Sequence, residues 1–104
     1  MALTRSFKDT VQTRVASDPA FKEALLTEGV NALLGGDLDT GKAVLRSYIN
    51  ATVGFETLSA STGTPTKSLM RMFGPRGNPN ASNLFAVLQT LQRSSGVTLE
   101  VRAA

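Results

Sequence analysis

Residues 55–85 read FETLSASTGTPTKSLMRMFGPRGNPNASNLF, and the fold turns on them. Phe55 to Thr62 reads as a short helix, stopped by a tight turn at Gly63. Thr64-Pro65 opens a second short helix over 65–73, since proline at a helix's first position forfeits no hydrogen bond. The loop Gly74-Pro-Arg-Gly-Asn-Pro-Asn80 follows, and then a longer amphipathic helix. Two short helices that pivot on a glycine form the pattern of a helix-turn-helix, whose second helix enters the major groove of DNA. Charge agrees with that expectation. From Thr57 to Leu99 there is no Asp or Glu, while Lys67, Arg71, Arg76 and Arg93 all lie there. Polyphosphate repels carboxylates and recruits cations, so an acid-free segment around this motif suits a DNA-binding surface.

Outward from this stretch, residues 1–56 hold seven acids and six bases, so the net charge of +3 comes from the second half. A chain of 104 residues suits one domain, 1–104, with a hydrophobic core of its own. Cysteine and histidine are both absent. That removes disulfides, thiolate nucleophiles, Cys-ligated zinc and the commonest acid–base side chain. No apolar run approaches the ~18 residues of a membrane span, and the first seventeen residues lack the apolar centre of a signal peptide, so the cytoplasm is the expected compartment.

The remaining elements follow from caps and periodicity. Ser6 with Asp9 is expected to cap a short N-terminal helix that uses Phe7, Val11 and Val15, an extension over residues 1–17. Asp18-Pro19 restarts the chain as a helix through Phe21, Leu25, Leu26, Val30, Leu33 and Leu34, stopped by Gly35-Gly36. Asp37 caps the next helix, with Leu38, Gly41, Leu45, Tyr48, Ile49 and Thr52 on one face and Gly54 at its end. The last helix begins near Asn80–Ser82, buries Leu84, Val87, Leu88 and Leu91, and closes at Gly96. The tail Val97-Thr98-Leu99-Glu100-Val101-Arg102 alternates apolar and polar residues and is expected to be a strand over 97–102. With no second strand to pair, its expected cover is the same strand of another copy, an antiparallel ribbon that makes a homodimer, or else a partner's sheet edge; the plain alternative is that it packs on the last helix or pairs with Ala2–Thr4. The expected fold is all-α: a compact bundle of five to six helices with a repressor-like helix-turn-helix and a short C-terminal β-strand.

The run from Gly36 to Gln92 resembles the antidote (antitoxin) family of addiction modules and the phage-type transcriptional regulators related to it. Gly36-Asp37, Gly54, Leu58, Thr62-Gly63, Ser68-Leu69, Gly77-Asn78-Pro79 and Leu84 carry the resemblance, which covers roughly residues 20–101. It implies a Cro/repressor-like helix-turn-helix over 55–73. Ser59 stands where these proteins usually have Ala, and Thr64 where they have an aliphatic residue. Ser59 is small enough for the same helix–helix contact, and Thr64 is expected to cap the helix that begins at Pro65.

With Gly63 in the turn, Leu69 and Met72 point inward on the second helix. Thr66, Lys67, Met70 and Arg71 point outward, where base edges are read. Arg71 can donate two hydrogen bonds to guanine O6 and N7, and Lys67 can do the same or hold a phosphate. Thr66 offers a hydroxyl and a methyl, and Met70 an apolar tip for a thymine methyl. The same i, i+4 cations also suit an ordinary solvated helix face. Behind the helix, Arg76, Asn78, Asn80 and Ser82 are expected to bind phosphate at the start of the following helix, although Asn, Pro and Gly there also serve a plain capped loop.

Catalysis finds little to work with. Ser59, Ser61 and Ser68 have no histidine to activate them. Asp37/Asp39 and Glu23/Glu28 sit where capping and solubility account for them. No metal or cofactor is expected. Two roles remain. One is a sequence-specific regulator that acts on double-stranded DNA, of the kind an antitoxin exerts on its own promoter. The other is an interaction module that neutralises a small basic RelE-like toxin protein, with DNA binding secondary or lost.

Overall fold

Asp18 illustrates how the chain divides into helices. Its extended backbone lets its carboxylate accept from the amides of Ala20 and Phe21 at 3.1 and 3.2 Å, with Pro19 at the first helical position. The computed structural model describes residues 2–104, with side chains from Asp9 onward. Among the described residues there are six helices and no strand. They are α1 (Ala2–Ser17), α2 (Pro19–Leu34), α3 (Leu38–Ala51), α4 (Phe55–Thr62), α5 (Thr66–Met72) and α6 (Ala81–Ser95). Asp37 caps α3 through the Thr40 amide at 3.2 Å, and Asn80 caps α6 through the Asn83 amide at 2.8 Å.

These helices enclose one core of Leu26, Leu45, Tyr48, Ile49, Phe55, Leu58, Leu69, Met72, Phe73, Val87, Leu88 and Leu91. α3 gives it three fully buried side chains, Leu45, Tyr48 and Ile49. Tyr48 is fully buried and its hydroxyl is hydrogen-bonded to Ser95 Oγ, which ties α3 to the end of α6. Phe55 and Phe73 meet at 6.4 Å between centroids, tilted by 53°, within the range of favourable aromatic pairs. α1 lies on α2 and α3 and buries Val11 and Val15, with Arg14 over the Phe21 ring at 4.3 Å.

Four expectations require correction. Position 6 is not a helix start, since α1 is already under way at Ala2; a cap needs a non-helical backbone, and the backbone there is helical. α3 ends at Ala51, and Gly54, at φ 79°, precedes α4 as its N-cap. Leu34 and Leu38 are exposed, because the chain leaves the core at the Gly35-Gly36 turn between them.

The fourth concerns the tail. Residues 97–102 form no strand. Gln92 satisfies the tail instead: its backbone oxygen accepts from Val97 N at 3.2 Å and its Oε1 from Leu99 N at 2.9 Å. Leu99 packs against the core while Val101 stays 78% exposed, so the tail lies along α6 and the two-copy ribbon loses its basis.

Candidate nucleic-acid interface

The turn between α4 and α5 is the three residues Gly63-Thr64-Pro65, and its polar groups are largely paired. Gly63 takes the left-handed conformation, φ 76° and ψ 4°, which favours residues without a Cβ. Its N–H donates to Ser59 O at 2.9 Å. Thr62 Oγ1 accepts from Thr64 N at 3.3 Å and donates to Leu58 O at 2.9 Å. Ser59 Oγ reaches over the turn to Thr64 O at 2.6 Å. Thr64 is therefore held by its backbone and does not cap α5. Pro65 precedes that helix without a side-chain cap, and Pro65 O accepts the first helical bond, from Leu69 N at 3.0 Å.

α5 buries Leu69 and Met72 and turns the opposite side out. Lys67 and Arg71 are exposed, Met70 is 53% exposed, and Thr66 is half-buried. An exposed methionine beside two cations is costly to hydrate and available for contact. Arg76, Asn78, Asn80 and Ser82 are exposed as well. Asn80 Oδ1 is spent on the α6 cap, which leaves its Nδ2 as donor. Ser82 opens onto a groove of about 670 Å³ between α2, α6 and the tail, with Leu34, Phe85 and Val101 around it. The cations Lys67, Arg71 and Arg76 lie on α5 and its loop, and Ser82 lines the groove.

Three residues of α3 shape this region: Lys42 and Arg46, which sequence reasoning passed over, and Asp39, which it assigned to capping and solubility. Lys42 is 4% exposed, and its Nζ donates to the carbonyl oxygens of Gly77 at 2.7 Å, Gly74 at 3.1 Å and Pro75 at 3.4 Å. An ammonium has three donors, and each finds a carbonyl. Arg46 Nη1 adds a longer bond to Phe73 O at 3.4 Å. Asp39, with 91% of its side chain exposed, lies 3.8 Å from Lys42 Nζ. The stretch without acids in sequence therefore has a carboxylate near its loop in space. The available signal was periodicity: Lys42 shares the apolar spacing of Leu38, Leu45 and Ile49, an unusual place for a lysine.

Gly77 explains how the loop comes within reach. A Cβ there would overlap the carbonyl oxygens of Arg71 and Met72, so the loop folds back against the last turn of α5. Gly74 N to Arg71 O, at 3.1 Å, and Gly77 N to Gly74 O, at 3.0 Å, close two small turns inside it. Among the described residues no group of His, Cys, Asp and Glu is arranged to hold a metal ion, and no helix is long and apolar enough to cross a membrane. The chain matches no protein-family model, no curated protein and no solved structure at a significant level of similarity.

Proposed function

We propose that this protein is a sequence-specific DNA-binding transcriptional regulator of the antitoxin type, with α4 and α5 as its helix-turn-helix and α5 as the reading helix. One observation carries the reading: α5 buries Leu69 and Met72 while Lys67, Met70 and Arg71 face solvent from a segment that holds no acid. Helices that read DNA divide in this way, with one side in the core and short cationic and polar reach on the other. Arg71 and Lys67 supply base contacts, and Thr66 and Met70 fill the space between. Arg76 with Asn78 and Asn80 supplies phosphate contacts, which set register without reading sequence. Two copies on one operator would present two α5 helices to two half-sites.

The antitoxin reading rests on the resemblance of residues 36–92. A module that chiefly covers a small basic toxin has a separate observation in its favour, the exposed apolar face of Leu34, Phe85 and Val101. Gel shift of DNA from upstream of the gene, with and without the product of the neighbouring gene, separates the two. Retarded DNA in the absence of that product supports the regulator. Retardation only in its presence, or none in either case, overturns DNA reading by this chain alone.

A further inference from the structure

We propose that Lys42 is a positioning residue for DNA contact: its buried ammonium pins the loop 74–77 so that Arg76 stands at a fixed place beside α5. This rests on the DNA-binding reading and names the part of the fold that sets where the loop cation sits. Arg76 is flanked in sequence by Pro75 and Gly77, and Lys42 holds the carbonyl of each, together with that of Gly74. The backbone on both sides of Arg76 is thus fixed from α3, across 35 residues of chain at Gly77.

Besides that anchor, the Arg46 bond to Phe73 O holds only the loop's entry, and Gly77 rests against the end of α5. The loop's own backbone bonds are the two turns that end at Gly74 and Gly77, and glycine is the residue with most freedom to lose. Stability alone does not call for a lysine at position 42. A buried ammonium is costly to desolvate, and an apolar side chain of similar length packed beside Leu45 and Ile49 is often as stable or more so. What an apolar side chain cannot do is gather three carbonyl oxygens. The Arg76 side chain is exposed and, among the described residues, makes no ion pair. A mobile arginine loses conformational entropy when it meets a phosphate, and a pinned backbone removes part of that loss beforehand.

The test uses the full chain as wild type, Lys42→Met, Arg76→Ala, the double variant and Gly77→Ala. Two quantities are read: trypsin cleavage of the Arg76–Gly77 bond, which needs no DNA, and the salt slope of binding to duplex DNA from upstream of the gene. Lys42→Met is expected to keep its helical circular dichroism and to be cut after Arg76 at least about tenfold faster, as local opening becomes easier. Its salt slope should flatten by about one phosphate, as in Arg76→Ala, and the double variant should flatten no further. Gly77→Ala loosens the same loop with Lys42 intact and should reproduce both changes. Unchanged cleavage in both loop variants overturns the anchoring. Faster cleavage with an unchanged slope, or additive slopes in the double variant, overturns the role in DNA contact. A wild-type chain that binds no duplex is recognised by having no slope to change, and it overturns the DNA-binding reading and this role together.

Discussion

Ser59 and Thr64 are joined across the α4–α5 turn by a hydrogen bond of 2.6 Å from the serine hydroxyl to the threonine carbonyl. The bond spans Gly63 and holds α5 at its angle to α4. Ser59→Ala leaves that half-buried carbonyl without its partner, at a cost of about 1 kcal/mol and a fall of roughly 4–8 °C in Tm. Thermal denaturation followed by circular dichroism measures it. An unchanged Tm would mean that solvent satisfies Thr64 O equally well.

Arg71→Ala should weaken specific binding by about 1–3 kcal/mol and relax the preference at one base pair per half-site. Its outward place on α5, one turn after Lys67, motivates the expectation. Binding to a panel of single-base operator variants checks it. Equal weakening on every duplex would make Arg71 a phosphate contact.

Arg76→Ala should weaken specific and unrelated duplexes alike and reduce the salt slope by roughly one phosphate's worth. Affinities measured across a salt series decide this. A variant whose slope matches the wild type would remove Arg76 from the phosphate contacts.

Asp39→Asn should strengthen binding to any duplex by roughly two- to fivefold at low salt, because an exposed carboxylate beside the loop repels the DNA backbone. The gain should fade as salt shortens the range of that repulsion. No gain at any ionic strength would put Asp39 outside the contacted face.

Leu99 and Val101 would share a face in a strand and respond alike to substitution. In the observed tail they differ. Leu99→Ser should cost about 1–2 kcal/mol of stability through lost burial, while Val101→Ser should stay within about 0.5 kcal/mol of wild type. Urea denaturation compares them, and equal losses would restore the strand.

The helices were legible because their ends are written locally. Asp18, Asp37, Gly63, Asn80 and Gly96 each act within a few residues of themselves, and all five stop or start a helix where expected. The tail misled because alternation at 97–102 signals a strand only when a ladder partner exists. A single glutamine seven residues upstream took that place. Lys42 was not legible for the related reason that its partners lie 32 to 35 residues away, and nothing in a window around it announces three carbonyls. The outward residues of α5 could be read from the 3.6-residue period. That Ser82 lines a groove with Leu34 and Val101 depends on how distant segments come together, and no local pattern records that.

The link between Tyr48 and Ser95 also bears on how the chain acquires its shape during synthesis. Helix α3 is made early, yet the core to which it gives Leu45, Tyr48 and Ile49 is completed by Val87, Leu88 and Leu91 of α6. Pairings so distant along the chain raise the entropic cost of forming the nucleus. The nascent polypeptide must therefore wait with a half-built interior until α6 leaves the ribosome. Its apolar α3 face is open to chaperones, or to another nascent chain, throughout that interval. A substitution that speeds docking of α6 should raise the yield of soluble protein even where it leaves the finished molecule no more stable.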